Sequence, residues 1–222
     1  MARRLGRRRC STRVRACWAE APSRPPPDLV AAAFHWLEYL GLLGAIGSLV
    51  VRRLGQMTPK IQWANPSLRI PLVAALAGVL GLVVFAPRSV LPRLDLAVVV
   101  HVLAAGMWAG GIMALASLRP PDGWSSPQAR ALIERFARVA LLAFAVTALT
   151  GVLQAGEQLR DVSDLWTTTY GLVLLVKCAA VLAMLGLSLA WRAGRPVARL
   201  EALAAILVVG ATALLAAFPA QA

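Results

Sequence analysis

Two histidines, His35 and His101, are the only ones in the 222-residue chain, and each lies inside a long apolar run. The second run reads His-Val-Leu-Ala-Ala-Gly-Met-Trp-Ala-Gly-Gly from His101 to Gly111. An imidazole inside a membrane-length helix is expensive, so it marks a functional position by default. Two imidazoles on different helices at one depth suit a metal ion, or the axial positions of a haem b. The plainer reading is an imidazole bonded to a backbone carbonyl or to a neighbouring Thr or Tyr. His35, Glu38 and Tyr39 fall at i, i+3 and i+4 and so share one helix face. Glu38 stands about nine residues into its run, roughly 14 Å deep at 1.5 Å per residue, where a lone carboxylate should be neutral or paired. His101 and Trp108, seven apart, share a face, whereas Met107 and Met113 point elsewhere. Thr147, Thr150, Gln154 and Glu157 approach the end of one run, and Tyr170 and Lys177 open another.

Helices must position these groups. The chain is 59% hydrophobic and 15% charged, with mean hydropathy +0.70, which excludes an ordinary soluble domain. A hydrocarbon core about 30 Å thick takes roughly 20 apolar residues per helical span. Six runs approach that length: Leu29–Val51, Ile70–Ala86, Leu94–Leu118, Phe136–Ala155, Tyr170–Trp191 and Ala202–Phe218. They lack the period-two alternation of a membrane barrel. The expected fold is therefore an all-α polytopic helical bundle of about six transmembrane helices. Its parts are a basic tail (1–28), two N-terminal spans (29–93) and a four-helix domain (94–219). The tail is expected to be disordered or lipid-associated, or to reflect a start assigned too early.

The net charge of +13 does not indicate nucleic acid, because its distribution is topogenic. Eight arginines crowd residues 1–28. Of the rest, eleven Lys and Arg fall in the first, third and fifth loops and three in the second and fourth. The loops therefore place the odd loops in the cytoplasm and both termini outside, although the basic tail favours the inside. In either orientation, alternating spans carry His35, His101, Gln154 and Tyr170 to one side of the membrane, with Glu38 and Lys177 deeper. Polar groups from four helices at one level suggest a shared site, and Glu38 and Lys177 are expected to interact near the midplane. Trp108 and Tyr170 also suit packing or an interfacial belt, and Met107, Met113 and Met184 suit core filling.

The glycines are packing residues. Gly41, Gly44 and Gly47 repeat every three positions, and Gly106 and Gly110 form GxxxG. None follows a strand, so a phosphate loop is not indicated. No CxxC pair occurs, and Cys178 reads as a small buried hydrophobe. No nucleophile–base–acid set suggests an enzyme.

Four ordered blocks carry a resemblance: His101–Gly111; Arg135-Phe-Ala-Arg-Val-Ala-Leu141; Thr150-Gly-Val-Leu-Gln-Ala155; and Leu165-Trp-Thr-Thr-Thr-Tyr-Gly171 with Leu174-Leu-Val-Lys177. Together with the last span, from Arg199 to Pro219, they resemble the membrane domain of the copper-resistance protein D (CopD) family over residues 94–219. The resemblance implies copper handling at the bacterial inner membrane, with movement from periplasm to cytoplasm. It also implies His101, Gln154, Tyr170 and Lys177 as the motif-borne polar set. His35, Glu38, Met107 and Met113 join them on physical grounds, since Cu(I) suits neutral imidazole and thioether donors. Larger family members have about eight spans, some fused to an extracellular copper-binding β-domain. This chain also shows Ala190-Trp191-Arg192 where an Asn is expected. The resemblance thus implies a smaller subunit, one that takes copper from a periplasmic copper-binding partner. Haem-mediated electron transfer through His35 and His101, and a non-transporting scaffold or assembly factor, remain as alternatives.

Overall fold

A computed structural model describes residues 27–87, 96–159, 161–192 and 198–218, and among these it is helical with no strand. The expected tail lies almost wholly outside the described residues, as do Arg88, Arg93, Arg160 and Arg195. Helix α1 spans Leu29–Gly55 and starts where the Asp28 carboxylate accepts the Val30 and Ala31 N–H groups at 2.9 and 3.1 Å. Helix α2 spans Arg69–Phe85. The third crossing, Leu96–Ala116, has three parts: α3 (Leu96–Ala105), a π-helical turn (Gly106–Gly110) and α4 (Gly111–Ala116). Helix α5 spans Pro127–Gln158, α6 is a single turn at Asp164–Thr167, α7 spans Thr169–Arg192 and α8 spans Ala198–Ala216.

Five helical segments are long and apolar enough to cross a membrane, and α2, at 17 residues, is shorter. The chain is thus an all-α polytopic membrane bundle. Large apolar side chains cover its outside, including Leu141, Leu142, Val152 and Leu207, each about two-thirds exposed (66%, 70%, 71% and 67%). Such a surface belongs in lipid, where helices satisfy their own backbone groups. The fourth crossing is much longer than the apolar run Phe136–Ala155. Ser126 accepts the Ala129 N–H and Pro127 opens the first turn, so the helix begins before the apolar stretch.

Helix α1 is the hub, packed by α2, the π turn, α4 and α8; α3 lies on α5, and α7 flanks α8. Small residues permit the closest approaches. A Cβ on Gly47 would overlap the Gly110 backbone, and one on Gly110 would overlap the carbonyl of Leu43. Gly41 is equally tight against Ala75 and Pro71, Gly106 meets Ile46, and a Cβ on Gly44 would lie 3.2 Å from the Pro71 side chain.

Contacts define the two ends of the bundle. Asp28 N–H donates to the Ala217 carbonyl at 3.3 Å, joining the start of α1 to the end of α8. Tyr170 packs edge-on against Phe218, with ring centroids 5.8 Å apart, so α7 begins at the same end. We call this the histidine end. At the opposite, arginine end, the Arg52 guanidinium donates to the Pro66 carbonyl at 2.9 and 2.7 Å. There Arg135 reaches the carbonyls of Leu54, Met57 and Pro59 at 2.9, 3.2 and 3.2 Å, closing the C-terminus of α1.

Candidate functional site

His101 lies one and a half turns into α3 and faces α5. Its Nδ1 stands 2.8 Å from Thr150 Oγ1. The Thr150 hydroxyl has one proton, and the Val146 carbonyl, 2.8 Å away, accepts it; the Thr147 carbonyl lies at 3.2 Å. Thr150 Oγ1 is therefore the acceptor from His101, which fixes the proton on Nδ1 and leaves the Nε2 lone pair for a ligand. The next residue, Gly151, leaves room at the ring: a Cβ there would lie 3.4 Å from His101 Cε1. One turn further along α5, the Nε2 of Gln154 is buried with no hydrogen-bond partner among the described residues. Two helices thus contribute an oriented imidazole and an unsatisfied carboxamide to one neighbourhood.

His35 belongs to a separate group. Its Nδ1 lies 3.1 Å from Glu38 Oε2, and its ring stacks on Tyr39 with centroids 5.5 Å apart. The Glu38 carboxylate accepts from the Nδ1–H of His35. The face formed by i, i+3 and i+4 is therefore a working contact. This geometry corrects the expected Glu38–Lys177 interaction, because His35–Glu38 is the one ion-pair contact among the described residues. Helix periodicity aligned Glu38 with its own neighbours, but it carried no information on which way α7 is rotated.

The expected single layer therefore resolves into distinct contacts. Tyr170 is buried against Phe218. Trp108 is buried and meets Phe144 edge-on at 4.8 Å, so the face it shares with His101 is the one toward α5. Met107 and Met113 pack against the apolar cluster around Ile112 and Leu115. They stand six and twelve residues beyond His101, about 9 and 18 Å along the axis, and the structure does not gather them with it. Among the described residues no three His, Cys, Asp or Glu side chains cluster as a metal cage. Two recesses lie at the arginine end, lined by residues such as Arg135 and Arg138. Cys178, expected to be buried, is exposed on the outside of α7.

Two features escaped the sequence reading. Thr150 shares a helix face with Gln154 and was legible as a polar residue at depth, but its role as the acceptor for His101 required the packing of α3 on α5. Glu201 is 1% exposed and bonded to the Ser188 hydroxyl. It stands two residues after Arg199, and nothing in the local sequence signals its burial.

The fold and these buried polar contacts define a multi-pass helical membrane protein with polar chemistry concentrated at the histidine end. Residues 129–218 match the family described as Copper resistance protein D. That segment, α5 through α8, is similar to the CopD family. The match includes Thr150, Gln154, Tyr170, Lys177 and Glu201, and it begins after His101, so the His101–Gly111 block lies outside it. No curated protein and no solved structure matches the chain.

Proposed function

We propose that this protein handles copper at the bacterial inner membrane, taking Cu(I) at the histidine end and passing it toward the arginine end. The observation that carries this reading is the His101–Thr150 bond. It joins a histidine on α3 to a residue of the CopD-matching segment and leaves Nε2 as the donor. Neutral nitrogen donors suit Cu(I), and a sparse ligand set favours release over storage. Gln154 lies one turn beyond the bond. His35, held by Glu38, would be a second imidazole station on α1. The charge distribution of the loops supports an external histidine end, where a copper-binding partner would deliver the ion.

The test is copper accumulation and copper sensitivity in cells expressing wild type or His101→Ala at matched levels. The expected result is loss of the copper-dependent difference in the variant. Equal accumulation would reject a His101-dependent site. A haem absorbance band in the purified protein, lost in both histidine variants, would replace copper by haem b.

A further inference from the structure

We propose that Glu201 is a proton-binding site at the arginine end of the bundle, held in the seam between α7 and α8. Glu201 lies one turn into α8 and is 1% exposed. One carboxyl oxygen, Oε1, accepts the Ser188 hydroxyl of α7. The other, Oε2, is buried and has no hydrogen-bond partner among the described residues. An ionised oxygen left bare in such a place is among the most costly arrangements a membrane helix can carry.

Among the described residues no charge offsets it; Arg192, four residues after Ser188 on α7, also belongs to this end, and its side chain lies outside the described residues. Helix α8 packs against α7, α1, α4 and the π turn. On α8 itself Arg199 is two residues away. Helix α1 brings Arg52 and Arg53 to this end, and Arg52 is already bonded to the Pro66 carbonyl. Lys177 on α7 stands eleven residues from Ser188, about 16 Å along the axis. The α4 segment and the π turn carry no charged residue. None of these cations makes an ion pair with Glu201 among the described residues.

The ligand is identified by what the seam can coordinate. Calcium takes six to eight oxygen ligands and magnesium six, whereas Cu(I) prefers nitrogen and sulfur donors. The seam presents one carboxyl and one hydroxyl. A proton requires only Oε2, and the Ser188 bond to Oε1 then orients a neutral carboxylic acid. This site does not depend on the copper reading, because it is at the other end of the bundle and shares no residue with His101.

Infrared spectra of the purified protein in detergent at neutral pH test the proposal. Wild type should show the carbonyl stretch of a protonated carboxyl that Glu201→Gln lacks and that Ser188→Ala shifts. Thermal unfolding provides a second readout. If the folded state holds a proton that the unfolded chain releases, stability falls as pH rises. The melting temperature of wild type should therefore decline between about pH 5 and pH 8, more steeply than that of Glu201→Gln. Identical spectra or identical slopes would overturn the proposal. So would a Glu201→Gln protein that fails to fold where Glu201→Asp folds, since that pattern requires an ionised carboxylate.

Discussion

The Nδ1 of His101 and the Oγ1 of Thr150 lie 2.8 Å apart, joining α3 to α5 across 49 residues of sequence. Because Thr150 donates its own proton back to its helix, the bond sets the tautomer of the imidazole. Thr150→Val keeps the shape of the side chain and removes the acceptor. The expected effect is a loss of about 0.5–1.5 kcal/mol in stability, the usual net worth of one hydrogen bond. The same variant should lower copper accumulation without abolishing it, since Nε2 survives but is no longer aimed. A double-mutant cycle with His101→Ala should show coupling. Strict additivity of the two variants in thermal unfolding would mean that the bond contributes nothing.

Gly47 and Gly110 predict a sharp contrast with other glycines. A methyl group on either meets backbone of the opposing helix, which cannot yield as a side chain can. Gly110→Ala should destabilise the bundle by about 1–3 kcal/mol, the common cost of overpacking. Gly186→Ala meets nothing within 4 Å and should be neutral or stabilising, because alanine is the better helix former. Unfolding of the two variants in detergent compares them directly.

Much of the bundle was legible because its signal is local. Apolar length located the crossings, and GxxxG spacing marked the residues that now meet between α1 and the π turn. The i, i+3 spacing put His35 with Glu38. The start of α5 was missed because apolar length does not register a helix that continues past the membrane; Ser126 and Pro127 gave the relevant capping signal. The supposed Glu38–Lys177 pair failed for a different reason. Two groups at equal depth meet only if their helices are rotated toward one another, and rotation is fixed by packing. Glu201 was concealed by the same limit, since a carboxylate one turn from a basic loop looks solvated until α7 covers it.

Arg135 predicts a structural effect confined to the arginine end. Its guanidinium serves three carbonyls, Leu54 and Met57 through Nη1 and Pro59 through Nη2. A planar fork of donors is required, so Arg135→Lys should not restore what Arg135→Ala loses. Hydrogen exchange should rise over residues 54–61 in both variants and stay unchanged around His35. Full protection in the lysine variant would show that charge alone closes this end.

Gln154 separates stability from function. Its buried Nε2 lacks a partner, an arrangement that costs roughly 1–3 kcal/mol and that packing alone would not maintain. Gln154→Leu removes the unsatisfied amide at similar volume, so the melting temperature should hold or rise. If the carboxamide serves the cargo, copper accumulation should fall in the same variant at matched expression. The opposite movement of the two measurements is the expected signature of a residue kept for its ligand. A variant that loses stability and leaves copper handling intact would instead assign Gln154 to the scaffold, and it would confine the cargo site to His101 and whatever approaches its Nε2.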